Sequence, residues 1–213
     1  MPIRQTEIFF VKLLLLLLIL CTVPLPACAI NPINVAILPP TNTANFRYPD
    51  DIQVIQSTIT KPFKYPYYLL LPADTVQKAA KTYLAEHKTS RLTDEKVMAE
   101  LAANLSADLV VVVELSQVRQ DRMHTFWFDE TYVASDIVLK CYAYSSLLDR
   151  FDMIKAVKYD RESESIDTNI DIIFKDLTEQ MLVKLPYKRI PLAGFEKPDP
   201  LTTNLQQIKK LPD

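Results

Sequence analysis

The stretch "ADLVVVVEL", residues 107–115, limits what this chain can fold into more than any other part of it. Residues 109–113 are all Leu or Val. Successive side chains of a strand point to opposite faces of a sheet, so an unbroken apolar run leaves neither face for water. This strand is therefore expected at the centre of a sheet covered on both sides. The cover must come from amphipathic helices elsewhere in the chain.

Such helices are legible. Ile52, Ile55 and Ile59 recur at spacings of three and four within residues 50–60, before Pro62 and Pro66 interrupt the pattern. Beyond Ala73, Val76, Ala79, Ala80, Tyr83 and Leu84 trace a second helical face, and Val97, Met98, Leu101, Ala102 and Leu105 trace a third. The third has start signals: Thr93 as a cap, Asp94 and Glu95 in the first turn, and Leu92 placed to pack against Val97. A fourth spans residues 168–185, with Ile170, Ile173, Phe174, Leu177, Met181 and Leu185 on one stripe.

The strands around the central one are shorter or one-sided. "INVAILPP" predicts a strand over residues 33–38 stopped by Pro39 and Pro40, and "YYLLLP" a second one stopped by Pro72. Over residues 132–148, Val133, Ser135, Ile137, Leu139, Cys141 and Ala143 alternate with Asp136, Lys140, Tyr142 and Tyr144, which suits a strand buried on one side only. "DRFD" reads as a hairpin turn, "MIKAVKY" as the return strand, and "RESESIDTN" as a polar loop that caps the last helix through Asp167 or Thr168. Helical crossovers early and a hairpin late predict a mixed sheet. The expectation is one α/β (α+β) domain over residues 30–185, a mixed four- to five-stranded sheet with helices packed on it. Five prolines among the 28 residues of 186–213 predict an extended Pro-rich tail beyond it.

Composition narrows the function. Gly194 is the only glycine in 213 residues. Phosphate-cradling loops and the Gly-x-Ser-x-Gly elbow need several glycines, because only glycine lets the backbone approach so closely or turn so sharply, so those classes are excluded. No cofactor is expected.

The amino terminus predicts export. Arg4 lies in a short polar region, residues 13–20 are Leu and Ile, and Pro24, Pro26, Ala27 and Ala29 follow, which is the order of a secretory signal over residues 1–29. The pure apolar run is short for a membrane span, although an uncleaved anchor remains an alternative. Two processing sites overlap: "LPAC" ends at Cys28 as a lipobox does, and "ACA" offers an A-x-A site at Ala27 and Ala29. The A-x-A reading is preferred, because "CTVPLPA" separates Cys28 from the apolar core and places Pro26 two residues before it. Removing Arg4, Lys12 and Glu7 takes the 24 basic and 26 acidic side chains to 22 and 25, a formal charge of −3. That balance argues against a nucleic-acid partner. Cys141 would then be the one remaining cysteine, with no internal partner. The mature protein is expected in the periplasm, at the cell surface or outside the cell, touching a membrane only through an amino-terminal lipid or anchor.

Four stretches together carry a resemblance: "NVAILPP", "YYLLLPADTVQKAA", "LAANLSADLVVVVELSQV" and "VLKCYAYSSLLDRFDMIKAVKYD". They resemble the cell-envelope α/β domains of the curli-secretion CsgG group, the penicillin-binding-protein activator lipoproteins and the amino-terminal domain of TolB, over roughly residues 33–185. Ser106 stands where that pattern often has Gly, and the turn after Asp149 lacks one. The resemblance implies an anticodon-binding-like arrangement and a bacterial envelope protein that binds or positions an envelope partner or its own copies. It transfers no catalytic residue and no membrane-spanning hairpins.

Side-chain chemistry is sparse. His87 and His124 lack the spacing of metal ligands and read as surface residues, and Cys141 reads as a small core hydrophobe. Asp149 with Asp152, or Glu162 with Glu164, could form a hydrolase-like carboxylate pair acting on envelope polymers, although solvated turn residues are the commoner explanation. The outstanding feature is "DRMHTFWFDE", which places Met123, Phe126, Trp127 and Phe128 in the connection between two strands, with Arg119 and Arg122 as a polar rim. Those side chains form either a partner-binding surface or rings folded back to complete the core. For the leader, intact-mass measurement of the exported protein is expected to give a chain beginning at Ile30 without lipid; a diacylglyceryl adduct on an amino-terminal Cys28 would overturn the A-x-A site.

Overall fold

In the computed structural model, which describes residues 32–189 apart from Phe128, the Leu and Val run opens a strand that crosses the middle of a mixed sheet. The strands are β1 (Ile33–Ile37), β2 (Thr41–Asn42), β3 (Tyr68–Leu70), β4 (Leu109–Thr125), β5 (Glu130–Ser145) and β6 (Arg150–Ser163). The helices are α1 (Pro49–Thr60), α2 (Ala73–Glu86), α3 (Glu95–Leu105) and α4 (Ile170–Lys184), with short 3-10 turns at Ile166–Thr168 and Pro186–Arg189. The sheet runs β3-β1-β4-β5-β6, with β1 parallel to β3 and β4, and β5 antiparallel to both β4 and β6. This is the expected mixed α/β class. The sheet has six strands because Thr41–Asn42, beyond Pro40, adds a short parallel pairing to Glu114 and Leu115.

Helices cover both faces, as the central strand demands. Val111, Val113 and Leu115 pack with Val35, Ile137 and Leu139 under α1 and α4, against Ile55, Ile59, Phe174, Leu177 and Met181. Val110 and Val112 pack with Ala36 under α2 and α3, against Val76, Ala80, Met98 and Leu101. Val110, Val111 and Val112 have no exposed surface at all. Asp108 sets the register at the start: its carboxylate accepts the Asn34 N–H at 2.8 Å, and its own N–H donates to the Asn34 carbonyl at 2.8 Å.

Several boundaries differ from the sequence expectation. Asp94, not Thr93, stands at the N-cap of α3, and Asn169 stands at that of α4; neither makes a side-chain cap bond. Thr168 instead joins Ser165 in a reciprocal capping box of the preceding 3-10 turn. "DRFD" is not the hairpin turn: the bend occupies residues 146–149, and β6 begins at Arg150. The core also continues past residue 185. Tyr187 is buried, donates its hydroxyl to Asp152 and accepts the Tyr68 hydroxyl at its carbonyl, so this residue of the segment expected to be tail packs into the core. The leader with Ala27, Cys28 and Ala29, and the rest of that tail, lie outside the described residues.

With so little glycine, the left-handed positions fall to other residues. Asn45, Ser106, Asp129 and Asp149 have φ of 55°, 50°, 51° and 45°. Asn and Asp tolerate that region through local hydrogen bonding, but Ser106 pays the ordinary Cβ clash. It holds the position because the exit from α3 requires it: the Ala107 N–H turns back to the Ala102 carbonyl at 2.9 Å, delivering Asp108 to β1. Ser106→Gly should relieve the clash and stabilise the domain by about 0.5–1 kcal/mol after the added freedom of the unfolded chain is counted. Chemical denaturation measures this; a destabilised variant would contradict the left-handed exit.

Candidate interaction site

The β4–β5 hairpin runs well past the helices. Its ladder continues to Thr125↔Glu130, where the Thr125 hydroxyl donates to the Glu130 carbonyl at 2.8 Å. The sequence reading places "DRMHTFWFDE", residues 121–130, in a connection between strands; instead both strands persist through most of it. The reason is physical: once the helical cover ends, no apolar alternation is needed, while the backbone ladder still holds the strand. The apolar pattern therefore stops before the strand does.

The turn at the tip carries the two most exposed large apolar side chains among the described residues, Phe126 at 84% and Trp127 at 88%. Their rings meet edge to face with centroids 6.2 Å apart. Neither ring completes the core. Met123 lies just below them on the ladder and is half exposed. His124 lies 3.7 Å from Asp129, a pair that is ionic only when the imidazole is protonated. Phe128 lies outside the described residues.

The expected arginine rim is split. The ladder places Arg119 opposite Asp136 on one face and Arg122 opposite Val133 on the other. Arg119 pairs with Asp121 at 2.9 Å, and Arg122 with Glu164 at 3.2 Å. Their spacing of three residues sets them on opposite faces because one uninterrupted stretch of ladder runs through both, where the sequence reading places Arg122 in a connection. Sequence reasoning also missed Tyr132, which lies opposite Met123, under the Arg161 guanidinium at 5.7 Å and donating to Glu130 at 2.6 Å. Its alternation with Ala134 and Asp136 was the available signal.

The cysteine, His87 and the carboxylate pairs that the sequence raises are each packed or engaged. Burial pushes the Cys141 thiol up to about 12, the state of an inert core sulfur. His87 stacks on Tyr83 at 4.4 Å. Asp149 accepts from Tyr144 at 3.0 Å, Asp152 pairs with Arg150 at 2.7 Å, Glu162 pairs with Lys158 at 2.7 Å, and Glu164 is held by Arg122. Neither carboxylate pair raised by the sequence converges on a common depression. The crevice at the end of β1, where α1 leaves for one face and α2 for the other, is lined by Pro39, Pro40, Ile52, Gln53, Gln56 and Gln77 and offers no ionisable group. No group of three or more metal-ligating side chains occurs among the described residues.

Glu114 marks the point where the helical cover ends on the α2–α3 face of the sheet. It accepts hydrogen bonds from Tyr142 at 2.8 Å and Thr43 at 2.9 Å, with Lys140 at 3.6 Å. Burial alone would raise its pKa; those hydroxyls and the ammonium outweigh it and hold the carboxyl below its usual value. Burial, then the bond to Glu114, pushes Tyr142 up to about 12.

No family model matches the chain, and no curated protein matches it. Solved structures with a similar course include the lipoprotein GNA1162 of Neisseria meningitidis, at 14% identity and a TM-score of 0.41, covering 71% of this chain and 99% of that one. The hypothetical protein CT253 of Chlamydia trachomatis matches at 12% identity and a TM-score of 0.45, over 72% of this chain and 95% of that one. The C-terminal domain of LpoB from Salmonella enterica matches at 8% identity and a TM-score of 0.37, over 63% of this chain and 87% of that one. At these values the likenesses assign neither a site nor a role.

A depressed folded-state pKa contributes stability that is present above the unfolded value, 4.5 for Glu114, and is lost as pH falls through the folded value. Glu114→Gln should therefore cost about 1–2 kcal/mol at neutral pH and little in acid, where the wild-type carboxyl is itself protonated. Denaturation at neutral pH and well below pH 4.5 measures the difference; an equal loss at both would contradict the charge-assisted cluster.

Proposed function

We propose that this chain is an exported, non-catalytic module of the bacterial cell envelope that binds a protein partner through the tip of the β4–β5 hairpin. The observation that carries the reading is the pair Phe126 and Trp127, exposed at 84% and 88% at the end of a ladder that no helix covers. Large aromatic side chains are costly to leave in water and typically dominate binding energy where they meet a partner. A hairpin makes a suitable mount, because the ladder fixes the direction of the tip while the turn leaves both rings free to enter a pocket. Met123 and Tyr132 extend the apolar surface onto the arm, and Phe128 is proposed as a third tip residue from sequence alone. Arg119 and Arg122, on opposite faces, would contact the partner on separate sides of the arm.

Export is supported by the leader pattern of residues 1–29, and the envelope assignment by the sequence resemblance over residues 33–185. The hydrolase alternative has no comparable observation behind it, since Asp149, Asp152, Glu162 and Glu164 are each engaged by a hydroxyl or a cation.

Trp127 is the chain's single tryptophan, so it reports on its own environment. Its emission should be that of a solvent-exposed indole in the isolated protein and shift to the blue when the envelope partner binds. Trp127→Ala should leave thermal stability unchanged and weaken partner binding by about 2 kcal/mol or more, roughly 30-fold. A variant that loses stability, or that binds as tightly as the wild type, overturns the assignment.

A further inference from the structure

We propose that β6 is the self-pairing edge of a symmetric dimer, in which two copies of this chain join their sheets antiparallel across a two-fold axis at Lys155. The surface is separate from the hairpin tip. β6 is 14 residues long, pairs on one side with β5, and has no strand on its other side among the described residues. A long edge strand presents a row of backbone donors and acceptors that another strand can complete. Two of the usual blunting devices are missing, since there is no proline from Arg150 to Ser163 and the β5–β6 ladder has no bulge; the third, charge, is present in Lys155, Lys158 and their acidic neighbours, and its arrangement selects which strand the edge can accept.

The occupant follows from the sequence of the strand itself. In an antiparallel pair, residues directly opposite each other lie on the same face. With the axis at Lys155, Phe151 of one copy faces Tyr159 of the other, and Met153 faces Val157. These residues share the sheet face that α2 and α3 leave open, where Met153 is 55% exposed, Val157 45% and Tyr159 82%. On the opposite face Arg150 meets Asp160, Asp152 meets Lys158, and Ile154 meets Ala156. Symmetry repeats every one of these contacts. The run "RFDMIKAVKYD" is thus chemically palindromic about its central lysine: apolar meets apolar, and each charge meets its opposite.

Neighbouring registers lack this property. Moving the axis to Ala156 sets Asp152 against Asp160, and moving it to Ile154 sets Arg150 against Lys158. An axis at Val157 sets Asp152 against Glu162. Like charges directly opposite on a sheet are destabilising. In the register centred on Lys155, the single like pair is Lys155 itself, which is exposed and whose long side chain can lean away into solvent. Within each chain Arg150 already contacts Asp152 at 2.7 Å, and Lys158 lies 3.8 Å from Asp160, so the two copies would lay one alternating charge pair against another of reversed order.

Sedimentation velocity across a dilution series, with protein purified from cells expressing the full chain, tests the pairing. The wild type should sediment as a dimer that dissociates on dilution. Met153→Lys with Val157→Lys places like charges opposite each other twice and should give a monomer with unchanged secondary structure. Met153→Lys with Val157→Glu places opposite charges there and should restore the dimer, a rescue that only this register supplies. As a second readout, Lys155→Cys should cross-link two copies under mild oxidation, because residues facing across an antiparallel pair are about 4.5–5.5 Å apart at Cα, within disulfide range. A wild type that remains monomeric throughout, whether its edge is covered by its own tail or by a different protein, overturns the proposal. So does a double-lysine variant that still dimerises, or a charge-paired variant that does not. Trp127→Ala should leave the dimer intact, which separates failure here from failure of the hairpin as a partner site.

Discussion

The burial of residues 109–113 on both faces of the sheet is the constraint from which the remaining architecture follows. Five consecutive aliphatic side chains cannot be sheltered by one layer, since they alternate sides. The chain meets this by sending α1 and α4 to one face and α2 and α3 to the other, which gives two separate apolar clusters divided by the backbone of β4 and β1. Asp108 makes the arrangement specific. It immediately precedes the run and bonds reciprocally to Asn34, so β1 cannot slip along β4 without leaving a carboxylate and an amide unpaired.

The scarcity of glycine shapes the corners. Four described positions adopt positive φ without it, and three of those are Asn or Asp, whose side chains can hydrogen-bond locally. Asp149 does so while accepting from Tyr144, and Asn45 lies between Asn42 and Phe46, which hydrogen-bond reciprocally through the Asn42 side chain. Ser106 is the exception, and it stands where the chain must leave α3 and enter the central strand within three residues. Some local strain is accepted there because the buried strand that follows repays it many times over in apolar contact.

The sheet outgrows its cover, and the two surfaces proposed for partners are consequences of that mismatch. Beyond Glu114 one face of β4, β5 and β6 has no helix over it, and beyond His124 and Thr131 the hairpin is held by its own ladder and turn. Two kinds of surface result. The tip offers aromatic rings on a stiff arm, and the outer strand offers backbone groups flanked by a palindromic pattern of side chains. Both depend on a rigid, fully covered core, because an exposed strand keeps its direction only if the rest of its sheet cannot twist or slip.

The sequence alone determined the order of strands and helices, the two-residue β2 excepted, and which side of each helix faces inward. Apolar periodicity is a local property, and it remained readable wherever a buried face existed, as in Val133 to Ala143 or Ile173 to Met181. It also determined that the phosphate-binding loops were excluded, since those need glycines that the chain lacks. The tertiary structure decided what periodicity cannot encode. The extent of β4 and β5 beyond the core rests on pairing between residues distant in sequence, so polar strand and polar loop look alike until the ladder is seen. The separation of Arg119 from Arg122 depends on the ladder running unbroken through both, and the burial of Tyr187 on a hydrogen bond to Asp152 far earlier in the chain. The exposure of Phe126 and Trp127 belongs to the same class: whether an aromatic ring is core or surface is set by what the fold places beside it, and here the fold places solvent there.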